Sequence, residues 1–461
     1  MNAKLMTAAA LGFAAGLAQA DYDYDFGADL RVREELMQNV PWLPGGGTIS
    51  SSAPRSKFRN HMRFRPDVWG EFRGTTENWG SWRLFAKLTD EFRWNIEGVN
   101  NPNANSFPNE VIPDNLFVEG LGLFDGLLDL TVGRQNIYNY CGLDHIFIDG
   151  TPGDGSRTLY SDMARAKLHV SEDSTLDLFG LVNFDEAHDI RWGTDRSKHQ
   201  SLSGFGAGEP DMDDWGFGAI WGSKLAQWLP YQLFVIQKNT HEFKDRRGNE
   251  HPWTQRELIG FKTVPQLTEE WALQFEGMSQ VGCNGEGDTL SGWSGYAGVN
   301  WKKSTESRIK PYANFGLHYM SGDDDAASED GGHDAWDPMW YRGVNDSEMF
   351  LYGSLYGVGW ISNMYNVKLT AGVEFGPRHK VQIMTGPMFA AAQDGLGGGD
   401  GMFKGYLTQG KYEFPLMLAD KAKGERFEVF GHLLAEYFNP GDYFETAKPA
   451  FFVRWQLEFR F

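Results

Sequence analysis

Hydrophobic and polar residues alternate with a period of two along much of the chain. The C-terminal stretch shows this pattern most clearly, because Val453, Trp455, Leu457, Phe459 and Phe461 alternate with charged or polar residues. Successive side chains of a β-strand point to opposite faces, so the stretch predicts a strand with an apolar, aromatic face and a charged face. A strand with lipid on one side and water on the other has this pattern.

The same alternation recurs in 18 segments, which are separated by turn-rich stretches. Links after the odd segments are mostly long and links after the even segments are mostly short. The sequence therefore predicts an all-β fold: a transmembrane, up-and-down antiparallel β-barrel of about 18 strands, with long extracellular loops and short periplasmic turns. The predicted strands are 24–37, 56–74, 80–95, 112–123, 126–138, 157–171, 174–184, 212–224, 228–240, 254–265, 269–282, 290–302, 307–321, 366–377, 379–393, 403–414, 425–438 and 449–461.

The segment 349–365 fits this pattern in two ways. It is either a nineteenth strand or part of a loop folded over the pore. An odd number of strands would put the C-terminus on the wrong side of the membrane, so the loop is the favoured interpretation.

The first 20 residues have the features of a secretory signal peptide. Lys4 precedes a short apolar run, and Ala18-Gln-Ala20 provides a small-residue exit before Asp21. The run is shorter than the ~20 residues that a membrane-spanning helix needs. We therefore predict a signal peptide at 1–20, an outer-membrane β-barrel domain at 21–461, and the bacterial outer membrane as the location.

Composition agrees with a barrel and narrows the class of partner. Aromatic residues make up 15% of the chain although its mean hydropathy is negative, as expected for aromatic belts around a polar lumen. The net charge of −20 argues against nucleic acid as a partner. Cys141 and Cys283 are the two cysteines of the chain, and one disulfide bridge and two separate thiols both fit the sequence.

Four of the predicted strands carry a local excess of positive charge on the face opposite to their apolar residues. On strands 24–37, 56–74, 80–95 and 157–171, that face has 12 basic and 5 acidic residues. Ion pairs that hold the wall together are one interpretation, and an anion-selective lumen is the other, favoured one. The basic residues predicted to line the pore here are Arg31, Arg33, Lys57, Arg59, Arg63, Arg65, Arg73, Arg83, Lys87, Arg93, Arg165 and Lys167.

The stretch 321–348 is strongly acidic instead. A solvated extracellular loop is the favoured interpretation. A calcium site at Asp323, Asp324 and Asp325 is the alternative, because clustered carboxylates bind hard cations, although the spacing of a calcium-binding loop is not met. No cofactor is otherwise predicted.

Several short motifs resemble the alginate-export family of outer-membrane porins. They are Val132-Gly-Arg-Gln135, the Gly/Asp-rich stretch 149–157 that ends in an arginine, Leu88-Thr-Asp-Glu-Phe-Arg93 and Tyr319-Met-Ser-Gly-Asp323. The resemblance implies an 18-stranded, monomeric barrel with an arginine-lined pore for an anionic polysaccharide. It also adds Arg134 and Arg157 to the predicted pore-lining residues.

The predicted function is passive passage of an anionic saccharide or polysaccharide through a basic lumen. A substrate-specific uptake porin for small anions or sugars is the alternative. An outer-membrane enzyme is disfavoured because no nucleophile–base or metal motif is found. The predicted partners are the lipid bilayer, the barrel-assembly machinery that recognises a terminal aromatic strand, and the saccharide.

Overall fold

The computed structural model describes most of residues 21–461. The described residues are 21–39, 59–76, 80–90, 92–97, 111–135, 161–183, 214–244, 250–304, 308–324, 334–340, 347, 349, 362–393, 398–444 and 448–461. The predicted signal peptide at 1–20, Cys141 and most of 349–365 lie outside these ranges.

Eighteen strands build the barrel, as the alternation predicted, and their bounds agree with the prediction to within a few residues. The third strand is interrupted and continues as Phe92–Glu97. The strands are β1 (Asp21–Gln38), β2 (Arg59–Thr76), β3 (Gly80–Asp90), β4 (Val111–Gly122), β5 (Leu128–Gln135), β6 (Ser161–Ser171), β7 (Ser174–Asn183), β8 (Asp214–Ala226), β9 (Leu229–Thr240), β10 (Thr254–Thr263), β11 (Trp271–Asn284), β12 (Thr289–Lys302), β13 (Ile309–Met320), β14 (Met364–Phe375), β15 (His379–Phe389), β16 (Phe403–Met417), β17 (Glu428–Pro440) and β18 (Ala450–Arg460).

Each strand pairs antiparallel with its neighbours in sequence, and the first strand pairs with the last. The β1–β18 ladder runs from Asp29 opposite Arg460 to Gln38 opposite Phe451. This pairing closes the sheet into a barrel, so neither β1 nor β18 has an open edge along this ladder. One end of the barrel, called the turn end here, carries Asp21, Phe461 and the short connections; the other, the loop end, carries the long ones.

Short elements occur between some strands. A four-residue helical turn, Leu123–Gly126, joins β4 to β5, and Lys421–Lys423 forms a 3-10 turn before β17. A small hairpin pairs Phe243–Lys244 with Glu250–His251 beyond β9. Among the described residues, no helix is long and apolar enough to cross a membrane.

The outer surface of the barrel is apolar, and aromatic side chains lie exposed towards both of its ends. Tyr24, Phe124, Trp228 and Trp271 are near the turn end, whereas Trp94, Trp253, Trp293 and Tyr319 are near the loop end. Aliphatic residues such as Ile259 and Ile383 are exposed between them. An apolar band flanked by two aromatic belts is what a bilayer requires of a barrel. Cys283 is also exposed, on β11.

The inside of the barrel has two different walls. Inward side chains of β1 to β3, β6 and β18 are rich in arginine and carboxylates that are buried together. On β7 to β10 the inward residues Leu181, Ile220, Phe234, Ile236 and Leu258 are almost fully buried and apolar. An apolar wall needs a covering partner inside a barrel, and the loop described below provides it.

Phe461 ends the chain at the turn end of the closing strand. Its backbone N–H donates to the carbonyl oxygen of Ala28 at 2.8 Å, and its ring packs on Phe427 with the centroids 4.9 Å apart. We expect that deleting Phe461, or replacing it with a charged residue, impairs assembly of the barrel. The measurement is the amount of folded, heat-modifiable protein in outer-membrane fractions. Normal amounts of folded protein without Phe461 would show that this residue is not needed as an assembly signal.

Candidate functional site

A cluster of buried charges occupies the inner wall where β1, β2 and β18 meet. The carboxylate of Glu35 lies 2.5 Å from Nη2 of Arg454, 3.3 Å from Nη1 of Arg63 and 3.4 Å from Nη1 of Arg33. His61 Nε2 is 2.7 Å from the same carboxylate. The four charged side chains are at most 2% exposed. This Glu35 cluster is therefore part of the wall rather than of the accessible lumen surface.

A second group of ion pairs lies on β2, β3 and β4, nearer to the turn end. Arg65 contacts Asp67 and Asp114, each at 3.2 Å, and is buried. Lys87 lies 3.5 Å from the same two carboxylates and keeps 23% of its side chain exposed. The two carboxylates thus share a buried guanidinium and a more accessible ammonium group.

A third group of ion pairs, those of Arg73 and Arg83, is more exposed to the lumen. Arg83 contacts Glu119 at 3.0 Å and Glu71 at 3.7 Å, and 31% of its side chain is exposed. Arg73 also pairs with Glu71 and is 50% exposed. The two carboxylates are less than 10% exposed. In these pairs, the cation is the partner that the lumen can reach.

The predicted residues of the sixth strand behave in the same way. Arg165 on β6 donates from Nε to Asp177 at 2.7 Å, and both side chains are buried. Lys167 stands opposite Asp177 and Asp129 in the strand ladders. The charged row of the lumen therefore continues onto β6 and β7.

Arg134, which the family resemblance suggested, is not brought into this row. The strand register places it beside Leu116 on one side and Asp162 on the other, in line with the exposed outer residues Val132 and Ala164. Its Nε donates to Asp162 at 2.9 Å. By register, Arg134 belongs to the outer face near the loop end.

The remaining predicted residues give less information. Arg31 lies opposite Arg65 and Glu458 in the ladders of β1. Arg59 pairs with Met37 and Arg93 with Arg63 in register, but the positions of their side chains are outside the described part of the structure. Lys57 and Arg157 lie outside the described residues altogether.

The acidic partners were the residues that the sequence analysis missed. Asp114 and Glu119 on β4 and Asp177 on β7 were not counted because only four strands were sorted into faces. Glu119 and Asp177 lie on the face opposite to exposed apolar residues, such as Leu116 and Leu178, so sorting every strand would have found them. The excess of basic residues is consequently smaller than the four strands suggested.

The acidic loop between β13 and β14 enters the barrel. Asp337 accepts from Lys238 Nζ at 3.3 Å and lies 3.5 Å from Arg256 Nε. Gln280 forms two hydrogen bonds with the backbone of Asp337, at 2.6 and 3.0 Å. Burial raises the pKa of Asp337, but Lys238 and Arg256 together outweigh it and hold that pKa below its ordinary value. The segment Asp334–Trp340 is thereby fixed to β9, β10 and β11.

Aromatic side chains of the same segment cover the apolar wall. Trp336 and Met339 are almost completely buried, and Trp340 donates from Nε1 to Asp214 at 3.2 Å. A Cβ atom at Gly216 would lie 2.5 Å from the Trp340 ring, so glycine is what allows the indole to lie on β8. The expectation of a solvated loop is wrong for these residues, because tryptophan and methionine make this part of the loop apolar.

The loop reaches the opposite wall a few residues later. Ser347 Oγ and the backbone N–H of Met349 both donate to Glu436 on β17 at 3.0 Å. The strands β9 and β17 are almost opposite each other in the ring of strands. The described residues of the loop therefore contact two nearly opposite walls of the barrel, Asp334–Trp340 on one side and Ser347 and Met349 on the other.

The residues of the alternative calcium site have other contacts. The Asp323 carboxylate accepts from the N–H of Asp334 at 2.9 Å, and Asp324 accepts from the N–H of Gln393 at 3.2 Å. Asp325 lies outside the described residues. Among the side chains that the structure describes, no three His, Cys, Asp or Glu residues converge as a metal site.

Comparison with solved structures shows the same fold in bacterial outer-membrane porins. OccK11 (OpdR) of Pseudomonas aeruginosa is 11% identical, with a TM-score of 0.52 over 95% of this chain and 96% of that one. OccK7 (OpdD) of the same species is 10% identical, with a TM-score of 0.51 over 95% and 99%. OccAB2 of Acinetobacter baumannii is 9% identical, with a TM-score of 0.50 over 95% and 98%.

These likenesses concern the fold, a closed barrel of 18 antiparallel strands, and they are consistent with the predicted outer-membrane location. No family model matches the chain, and no curated protein matches it in sequence. The alginate-export resemblance therefore rests on the short motifs alone.

Proposed function

We propose that the barrel is an outer-membrane channel for the passive passage of an anionic saccharide or polysaccharide. One observation carries the proposal. In the ion pairs of Arg73, Arg83 and Lys87, the cation is 23–50% exposed, whereas the paired carboxylates of Glu71 and the others are less than 10% exposed. Together with the buried Arg65, these cations equal the four carboxylates in number, yet the surface that a solute meets on this part of the wall is positive.

A positive surface in a confined lumen favours anions for two reasons. Fixed charges next to low-dielectric walls raise the local concentration of counter-ions. Guanidinium groups also match carboxylates in shape and can donate two parallel hydrogen bonds. Arg73 and Arg83 are held by carboxylates from behind, so they stay in place without a ligand.

The finer features of the proposal rest on different support. Alginate as the substrate is favoured by the motif resemblance, and a monomer inserted by the assembly machinery is favoured by the same resemblance and by the terminal Phe461. Uptake of small anions or sugars is the second candidate. The contacts of the loop with two nearly opposite walls, at Trp340 and at Ser347, favour it, because a loop held inside the barrel narrows the path for a polymer. A catalytic role is not proposed.

Ion selectivity in planar bilayers tests the channel proposal. We expect the wild-type barrel to prefer chloride to potassium in a salt gradient. Replacing Arg83 and Lys87 with glutamine should lower that preference by roughly threefold, since two accessible positive charges are lost from a confined space. The matched control is Lys423→Gln, which removes a positive charge from an exposed turn and should leave selectivity unchanged.

Two results bear on the proposal in opposite ways. A wild-type barrel that prefers cations, and still does so after deletion of 323–348, would contradict the anionic substrate. A cation preference that reverses on the same deletion would instead show that the acidic loop masks a basic pore.

A further inference from the structure

Three aromatic side chains form a stack on the inner wall beside the accessible cations. Trp69 on β2, Phe85 on β3 and Phe117 on β4 alternate with the exposed outer residues of their strands, so they face inward. The centroids of Trp69 and Phe85 are 6.4 Å apart with their planes at 22°, and those of Phe85 and Phe117 are 5.4 Å apart at 29°. Such spacings and small angles are those of offset-stacked rings. The three rings make one continuous apolar surface across three strands.

The stack is built into the wall. A Cβ atom at Gly27 would lie 2.6 Å from the Trp69 ring, so the glycine on β1 gives the indole room to lie against the strand. Phe117 is 5% exposed, whereas Trp69 and Phe85 keep part of their surface open. The open part of the stack can therefore be reached from the lumen without rearrangement.

Charged groups border the open rings. The guanidinium carbon of Arg83 lies 5.7 Å from the Phe85 centroid and 5.1 Å from the Phe117 centroid. Lys87 stands opposite Trp69 in the β2–β3 ladder. The carboxylates that hold these cations, such as Glu119 at 3.0 Å from Arg83, lie just behind them. The accessible surface here thus combines the apolar rings of the stack with positively charged hydrogen-bond donors, whereas the carboxylates are buried beneath the cations.

We propose that Trp69 and Phe85, with Phe117 as the buried end of their stack, form a binding subsite for the ring of an acidic sugar; this rests on the proposed function. The C–H bonds of a six-membered sugar ring carry partial positive charge and pack on the negative face of an aromatic ring. The sugar carboxylate pairs with Arg83, and hydroxyl oxygens accept hydrogen bonds from cations such as Lys87.

An aromatic carboxylate is the competing ligand, because it would use the ring stack and one of the cations equally well. A sugar ring differs in carrying several hydroxyl oxygens beside its carboxylate, and these can accept further hydrogen bonds from Arg83 and Lys87. Glu71 and Glu119 are less than 10% exposed and already pair with arginines, so they favour neither ligand.

Single-channel recording with trigalacturonate as the probe tests the subsite. We expect the probe to block the wild-type current in discrete events. In the Trp69→Leu/Phe85→Leu variant the events should become about tenfold shorter, because the stacking surface is lost while Arg83 and Lys87 remain. Phe85→Tyr keeps an aromatic ring and should keep long events. Phe315→Leu, a change on the exposed outer face, is the matched control and should behave as the wild type.

Each outcome has a defined meaning. Event lengths that are unchanged in both the double variant and Phe85→Leu, in barrels shown to be folded by heat-modifiability, would overturn the subsite while leaving the channel proposal intact. Benzoate that blocks longer than trigalacturonate, and loses its block in the same variants, would assign the subsite to aromatic carboxylates instead. A wild-type barrel that trigalacturonate never blocks would overturn the subsite, whereas the channel proposal is decided separately by the ion-selectivity measurement.

Discussion

We expect Glu35→Gln to destabilise the folded barrel by about 3–5 kcal/mol, the cost of breaking a buried ion pair by removing one partner. Glutamine keeps the size of glutamate but carries no charge. Arg33, Arg63 and Arg454 would then share a buried space without the carboxylate that now lies within 3.4 Å of each of them. Urea titration of the barrel in lipid vesicles, followed by tryptophan fluorescence, measures the effect.

Two further variants separate the buried charge from a general effect of mutation. Asp420→Asn removes an ion pair with Lys423 at an exposed turn, and such pairs contribute little because water screens them, so we expect a change below about 1 kcal/mol. Glu35→Gln combined with Arg454→Met removes one of the stranded cations and should recover part of the lost stability. If Glu35→Gln is as stable as the wild type, the cluster does not hold the wall together.

The second large effect is expected at the anchor of the loop. Asp337→Asn removes the negative charge that Lys238 and Arg256 contact, so the segment Asp334–Trp340 should leave the wall for part of the time. The conductance of the single channel should then fluctuate between levels that differ by about twofold or more, since a segment that leaves the inner wall moves into the lumen and narrows it. The control is Asp334→Asn, where the carboxylate only accepts an exposed hydrogen bond from Ser291. If the Asp337→Asn variant gives steady currents of wild-type size, the Asp337 carboxylate does not anchor the segment Asp334–Trp340 to the wall.

Acid should reproduce the effect in the wild-type protein. The pKa of the Asp337 carboxyl is lower in the folded barrel than its usual 3.8, so the anchor is fully present above that pH. It is lost only as the pH falls through the lowered pKa, when the carboxylate takes up a proton. Recording at pH 7 and then at successively lower pH should give quiet currents at first and fluctuating currents below pH 3.8. Asp337→Asn should show no such transition.

The strands could be predicted from the sequence because each one has lipid on one side and water on the other. Apolar residues such as Phe64, Val68 and Phe72 therefore recur at even spacing along each strand. Counting the segments with this alternation gave the 18 strands of the closed barrel. The accessible cations Arg73, Arg83 and Lys87 were predicted for the same reason, because they lie opposite the apolar face.

The contents of the lumen could not be predicted in the same way. The partners of a charge depend on strand register, and Arg65 meets Asp114, which is 49 positions away in the sequence. The loop between β13 and β14 was predicted to be solvated because its composition is acidic. Trp336, Met339 and Trp340 are unusual in a solvated loop, and they are the residues that are buried against the inner wall. The aromatic stack of Trp69, Phe85 and Phe117 was not predicted because these residues lie on the inward, charged face of their strands, where the alternation predicts polar residues.

The Glu35 cluster also has a consequence for the kinetics of closure. Glu35 and Arg454 are 419 residues apart in the sequence, and they meet only when the last strand pairs with the first. Until that moment, the half-built sheet holds Glu35 without Arg454, so we expect this contact to form after the rate-limiting step of folding. Interactions that form so late slow unfolding far more than they speed folding. The seam of the finished barrel should therefore be slow to reopen, and weakening the cluster should shorten the lifetime of the closed barrel while leaving its rate of formation almost unchanged.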